Sequence, residues 1–530
     1  MSTARRRALA AGGTFSLAAA AVAGSVAVPS TVPANDAVLR AAVAPRAFTP
    51  TVVDPVRRRD PRPNVLYIVT DDQATADLNA RTMPAVTHYL VNRGTVYRNS
   101  VTSYAYCCPS RASFQTGEYT QNHGVRSCQP GSGYAAFRRL VPQRSTLPVW
   151  LRRAGYSTGF TGKFINGYED DYRHVPAGWT DWHAFGAGTY NYWNQTEVVK
   201  RPGRSLTTVR HHTYTSDTTG TIASSMIRDL GRRGKPWFVE AAFVAPHHGS
   251  DGGESDNPTL DNPGVAPRWR DAWHGHSMPK NPSFDEADVS DKNALVRHRP
   301  LLAPYVQREL QEVWEQRQEA IRSVDANVAR LIATLRRTGQ LGNTVVVFTS
   351  DNGYDLGDHR KVDGKMSPYR SSTSVPLAIR GPGFPAGARP TMPVQTVDVT
   401  ATIARLARAH PLLPQDGVSI AGAAHRPAAH RDRVTLLRQY LGMRYAGAHT
   451  RNFTYLRVHD GLGTEELYDH RVDRWETTNL AGRPAYAGVL AELRAQTTAL
   501  ARCSGTSCHR TTTANQMVSL ATARRVLSPS

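Results

Sequence analysis

The chain has 530 residues, 40% hydrophobic and 20% charged, with a formal net charge of +21 at pH 7. That composition excludes a disordered or fibrous chain and leaves room for two domains, one of them large. The positive charge is scattered as single arginines, not gathered into a basic helix or a motif with interleaved aromatics. It therefore describes a solvated basic surface, and no nucleic-acid partner is expected.

At the N-terminus, Arg5, Arg6 and Arg7 precede an apolar run from Phe15 to Val28 and then a stretch of small residues. This order predicts a signal peptide over residues 1–34, of the twin-arginine type. The run is shorter than the roughly 20 apolar residues a membrane span needs, and no other segment reads as one. The product is expected to be secreted or extracytoplasmic. Residues 35–62, rich in Pro and Arg, read as a linker.

Val65 to Val69 form a continuous apolar run with β-branched ends, which predicts a strand buried on both faces. It runs into Asp71 and Asp72. Gly159–Lys163 and Trp237–His248 read as further strands that end in polar residues. Val324, Val328, Leu331, Ile332 and Leu335 share one helical face, with Gly339 in the stop position. A strand at Val345–Phe348 follows and ends near Asp351 and Asn352. Helix then buried strand, repeated, predicts a parallel α/β sheet whose ligands gather beyond the strands' carboxyl ends. Past about residue 430 the runs become short and alternating, which predicts a C-terminal antiparallel subdomain over 430–510. A closing helix lies near its end, and a loose tail occupies 511–530. The larger domain is expected over 63–425.

Cysteine use narrows the chemistry. There are five, an odd number, and two of them, Cys107 and Cys108, are adjacent. Cys108 with Cys128 and Cys503 with Cys508 would close two loops, which singles out Cys107. Pro109 suits the first turn of a helix, so Cys107 stands at a helix N-terminus, where backbone N–H groups favour an anion. There it is an activated thiolate, a small buried hydrophobe or half of a disulfide. Asp71, Asp72, Asp351 and Asn352 offer hard oxygen ligands at two strand ends, the donor set of calcium or magnesium rather than zinc. Lysine is scarce, only seven of 64 basic residues: 163, 200, 235, 280, 292, 361 and 365. A lysine that persists in such a chain can be needed as a compact ammonium.

The string Cys107-Cys108-Pro109-Ser110-Arg111, followed by Thr116-Gly117, resembles the signature of the type I formylglycine-dependent sulfatases of the alkaline phosphatase superfamily. "PNVLYIVTDDQ", "TGKF", "APH", "SDNGYDLGDH", "GK" before "SPYR", "VPLAIRGPG" and "ELYD" follow in the family's order, from about residue 63 to 500. The resemblance implies an α/β fold with a large, mostly parallel sheet sandwiched by helices and a smaller C-terminal antiparallel sheet. It implies that a formylglycine-generating enzyme converts Cys107 to an aldehyde before folding finishes. It further implies that Asp71, Asp72, Asp351, Asn352 and the modified Cys107 hold a cation, calcium or alternatively magnesium. Arg111 would orient the formylglycine, and Lys163 and Lys365 would contact sulfate. His247 would stand near the leaving group, with His248 as the fallback. The family's histidine two places after the first lysine is replaced by Ile165, so His123 or water is the candidate for that role. "CCPSRASFQTGEYTQNHGV", "GKFINGY", "HVPAGWTDW" and "YNYWNQ" are similar to the N-acetylglucosamine-6-sulfatases and the extracellular heparan endosulfatases. The expected activity is sulfuric ester hydrolysis on a sulfated carbohydrate such as N-acetylglucosamine 6-sulfate. The alternatives are an arylsulfatase of other specificity, a phosphate or phosphonate monoester hydrolase on the same fold, and an inactive sulfated-glycan-binding protein.

Overall fold

The computed structural model describes residues 60–249, 259–426 and 428–527. The predicted signal peptide and nearly all of the linker lie outside them. Among the described residues, nine strands make the main sheet. In chain order they are β1 (Asn64–Thr70), β2 (Thr95–Val96), β3 (Ser157–Gly162), β4 (Asp181–Phe185), β5 (Thr196–Lys200), β6 (Thr207–Arg210), β7 (Trp237–Ala242), β8 (Thr344–Ser350) and β9 (Leu377–Arg380). Their order across the sheet is β2-β9-β8-β1-β7-β3-β4-β5-β6. The central five, β8 to β4, pair in parallel. The flanking strands pair antiparallel.

Every residue of β1 is buried, as its unbroken apolar run requires. Val65, Tyr67 and Val69 face one core with helices α1 (Cys107–Thr116), α2 (Leu147–Arg153) and α5 (Thr396–Leu406). There the Tyr67 ring stacks on Phe114 of α1 at 3.9 Å. Leu66 and Ile68 face the opposite core with α3 (Thr215–Gly231) and α4 (Pro304–Arg337). Each such buried side chain contributes about 1.5–3 kcal/mol, so the two layers fix the sheet's position firmly.

The apolar face expected at Val324–Leu335 is fully buried, and Gly339 follows it at φ +65°. However, α4 begins twenty residues earlier than that face, at Pro304. Its first half buries Arg317 and Gln318, which hydrogen-bond loops at the sheet's carboxyl edge. Polar burial of that kind leaves no hydrophobic period to read.

A second sheet carries β10 (Arg433–Gln439), β11 (Tyr445–His449), β12 (Phe453–Val458), β13 (Glu465–Asp469) and β14 (Arg510–Thr511), in the order β13-β12-β11-β10-β14. All its pairings are antiparallel. Helix α6 (Ala487–Leu500) covers it with Val489, Leu493 and Leu500. The segment after residue 510 is not loose, contrary to expectation. It starts inside β14 and buries Ala514, Val518 and Ala523 in the same core. Its apolar residues are too few and too small to announce this. The described residues form one compact unit, within which the buried Arg433–Asp398 ion pair, 2.5 Å long, ties β10 to α5.

The disulfides are Cys108–Cys128 and Cys503–Cys508, and Cys107 is free and buried. No helix among the described residues is long and apolar enough to cross a membrane.

Candidate active site

The site lies where β1, β8, β3 and β7 end. Asp71 and Asp72 follow β1 directly, and Asp72 takes a left-handed φ of 63°, a strain that surrounding bonds must hold. Its backbone N–H donates to Asp351 Oδ1 at 3.2 Å, and Asn352 Nδ2 donates to Asp72 Oδ1 at 2.6 Å. These bonds stitch the end of β1 to the end of β8. Arg317, from the polar half of α4, donates to the Asp72 carbonyl and to Pro246 O.

Cys107 is the first residue of α1, and its thiol donates to Asp71 Oδ1 at 3.2 Å. Ser110 Oγ donates to the Asp351 carbonyl at 2.6 Å, which docks the helix onto β8. One turn in, Arg111 gives Nε to Asp351 Oδ2 at 2.8 Å and Nη1 to Lys163 O at 2.7 Å. Its Nη2 is buried without a hydrogen bond and lies 3.7 Å from Asp71 Oδ2.

Lys163 follows β3, and its ammonium pairs with Asp71 Oδ2. Gly162 before it has φ +104°, and a Cβ there would stand 1.9 Å from Ala242 O, so only glycine lets β3 reach β7 at this point. Lys365 reaches in from a loop: its Nζ is 2.5 Å from Asp72 Oδ1 and 2.9 Å from Cys107 Sγ.

His247 is the histidine brought to the cluster. Its Nε2 is 3.6 Å from Asp72 Oδ2, whereas His248 is 43% exposed and faces Asp261. His247 Nδ1 donates to the His248 carbonyl at 2.7 Å, which puts the proton of the neutral ring there and turns the Nε2 lone pair toward the carboxylates. Tyr190 stacks on this ring at 4.3 Å and lies under the Lys163 ammonium at 4.7 Å. Arg317 and Tyr190 were missed as site residues. Tyr190 begins the quoted "YNYWNQ" string, but nothing in Arg317's sequence surroundings marks it.

His123, the candidate to replace the missing histidine, is not brought to the cluster. Its Nε2 bonds Ser113 Oγ at 3.0 Å and its Nδ1 accepts from Val125 N at 3.1 Å, so both ring nitrogens are engaged elsewhere. The helix carries Ser113 six residues past Cys107, and His123 follows it. Ile165 is packed in the apolar core.

The charges are mutually arranged. Burial alone would raise the Asp71 carboxyl, but Lys163 above all, with His247, Arg111 and Lys365, holds it well below the usual range. Burial and the nearby Asp71 push Asp351 up to about 6. Burial pulls His247 down to about 3, against the attraction of Asp71 and Asp72. Burial, reinforced by Asp71, also pushes the Cys107 thiol up, so the unmodified side chain is a thiol and not the activated thiolate.

Ligand atoms of Asp71, Asp72, Cys107 and His247 all lie within 4.8 Å of one another. Asp72 Oδ2 and Asn352 Oδ1 are buried without a hydrogen-bond partner, and Asp351 adjoins both residues. Hard oxygen donors that accept no hydrogen bond fit a calcium or magnesium ion. A cavity of about 390 Å³ is lined by Trp314, Phe284 and Trp475 and by none of the charged residues of this cluster, so convergent charge defines the site.

Residues 63–409 match the family model described as Sulfatase. The chain is 30% identical to an arylsulfatase of Volvox carteri over 84% of this chain and 76% of that protein. It is 30% identical to the N-acetylglucosamine-6-sulfatase of Homo sapiens over 65% of this chain, and spans 61% of that protein. Among solved structures, BT4656 in complex with its substrate D-glucosamine-2-N,6-O-disulfate superposes with a TM-score of 0.68, at 20% identity, covering 82% of this chain and 97% of that one. With the family model matched across the main sheet and both strand ends of the cluster inside the match, the chain belongs to the sulfatase family, the sulfuric ester hydrolases.

Proposed function

We propose that this protein hydrolyses a sulfate monoester of a carbohydrate at the Cys107 cluster. The observation that carries the reading is the convergence of Lys163, Lys365 and Arg111 on the carboxylates beside Cys107. A sulfate ester is an anion that repels nucleophiles, and fixed cations aimed at the sulfuryl oxygens stabilise the charge that develops as the ester bond breaks.

A formylglycine made from Cys107 would supply a hydrated aldehyde, with one hydroxyl to attack sulfur and a second to release sulfate. Asp71, Asp72, Asp351 and Asn352 would hold a divalent cation, calcium in this reading, which would supply Lewis acidity beside that nucleophile. The chain's own groups do the rest. Arg111 holds Asp351 through Nε and offers Nη2, which makes no hydrogen bond and lies 3.7 Å from Asp71 Oδ2, to a sulfate oxygen. Lys163 and Lys365 neutralise the ester from two sides. Lys365, an ammonium next to Cys107 Sγ, is placed to give its proton to the departing alcohol. His247, neutral with its Nε2 lone pair inward, accepts a hydrogen bond from the sugar or joins the cation's ligands.

The human relative's name and the ligand of the BT4656 structure support a glucosamine 6-sulfate. The two disulfides support export to an oxidising compartment. The test has two parts. A peptide mass spectrum over residues 105–111, from protein made with the formylglycine-generating enzyme, is expected to show aldehyde in place of the Cys107 thiol. The same preparation should then desulfate N-acetylglucosamine 6-sulfate and prefer an aryl sulfate to the matched phosphate. An unmodified Cys107 in protein that still binds sulfated glycan would replace this reading with a binding protein. A phosphate preference would replace it with a phosphohydrolase.

A further inference from the structure

Lys361 is one of only seven lysines, and the site accounts for Lys163 and Lys365 alone. Its Nζ donates to the backbone carbonyl of Lys365 and to Asp355 Oδ2, the latter at 2.8 Å. Asp355 is 1% exposed. Its other oxygen, Oδ1, accepts from Ser367 Oγ at 3.0 Å and from Ser371 Oγ at 2.5 Å. One buried carboxylate therefore grips the chain on both sides of Lys365 and fastens it to the short helix Arg370–Thr373. The backbone adds an antiparallel pairing of Asp355 with Gly364.

This segment needs such fastening. His359, Arg360 and Met366 all take left-handed φ values of 50°, 58° and 70°. Non-glycine residues hold that conformation only where the surroundings over-determine it. A compact ammonium with three donors can serve a carbonyl and a carboxylate from one point, whereas a planar guanidinium spreads its donors in a fixed fork. That explains a lysine here in a chain that otherwise uses arginine.

We propose that Asp355 and Lys361 form a clamp that positions the Lys365 ammonium against Asp72 and the Cys107 side chain. Both are positioning residues, and neither touches the reacting atoms. The inference rests on the reading of Lys365 as a sulfate-contacting residue.

The test is a double-mutant cycle on the modified holoenzyme, with an aryl sulfate whose good leaving group keeps residual turnover measurable. Asp355→Asn, Lys361→Met and Lys361→Arg are each made alone and together with Lys365→Ala. Alone, each is expected to lower kcat by about tenfold to a hundredfold, the scale of a small misplacement. Lys361 is 21% exposed, so its variants should fold, and unchanged melting temperatures will show it. In the Lys365→Ala background the same substitutions should change kcat less than twofold, because a clamp has nothing left to position. Losses that multiply in that background overturn the clamp and leave the reading of Lys365 intact. Wild-type turnover in Lys361→Arg also overturns it. Wild-type turnover in Lys365→Ala overturns the reading itself, and the clamp falls with it.

Discussion

Two buried arginine–aspartate pairs are built from the same groups and end differently. In one, Arg433 gives Nη1 and Nη2 to the two oxygens of Asp398, which also accept from the backbone N–H groups of Gln395 and Val418. The carboxylate is saturated, and the pair joins β10 to α5. In the other, Arg111 binds Asp351 through Nε alone, and its Nη2, Asp72 Oδ2 and Asn352 Oδ1 stay buried without a hydrogen bond, Nη2 lying 3.7 Å from Asp71 Oδ2. Buried polar groups left unsatisfied cost free energy, so a fold tolerates several together where a ligand will complete them. The first pair, its carboxylate saturated although Arg433 Nε is buried without a hydrogen-bond partner, joins two parts of the fold, whereas the second leaves open oxygens gathered in the proposed site.

Four measurements break or sharpen that contrast. Cys107→Ser removes the precursor of the aldehyde without emptying the site, and kcat on an aryl sulfate should fall by on the order of 10⁴-fold or more. Arg111→Ala should lower kcat by roughly 10²–10³-fold, as expected when a charge-stabilising donor is lost, with a smaller effect on the melting temperature. Arg433→Ala should do the reverse. It strands Asp398 as an unpaired buried charge and should cost about 3–5 kcal/mol in a denaturant titration, while the folded fraction keeps its kcat. If the Arg433 variant lost turnover and kept its stability, the contrast would be wrong.

The smallest effect concerns His183, a third buried charge, which lies between Asp181 at 3.1 Å and Glu197 at 2.7 Å. Burial would lower its pKa, but hydrogen bonds to Asp181 and Glu197 outweigh that and raise it to about 9. A folded pKa above the unfolded value near 6.5 means that the stabilisation is fully present below about pH 6.5. It is lost as pH rises through about 9 and amounts to about 3 kcal/mol in all. Melting curves from pH 6 to 9.5 should show this decline, and His183→Gln should flatten it.

Much of the site was legible because it sits on elements whose own sequence announces them. The short β-branched apolar runs before Asp71 and Asp351 suit buried parallel strands, and such strands place their last residues at the ligand edge. Cys107 stood out by cysteine arithmetic, whereas scarcity marked seven lysines alike and the family resemblance picked Lys163 and Lys365 from them. What stayed hidden is set by contacts distant in sequence. Arg317 serves Asp72 from 245 positions away, and nothing local marks it. His123 failed as a site residue because its neighbours Ser113 and Val125 use both ring nitrogens, a fact visible only in space.

The ion pairs at Asp71 and Asp72 carry one last consequence. Asp71, Asp72 and Asp351 face Lys163, Lys365 and Arg111, so the cluster balances its charge from within the polypeptide. The carboxylates can thereby be held by the chain's own cations before any ion is taken up, so folding does not depend on loading the site. Chelation should accordingly silence turnover and lower the melting temperature by the ion's binding free energy without unfolding the chain, and readded calcium should restart the enzyme without a refolding step.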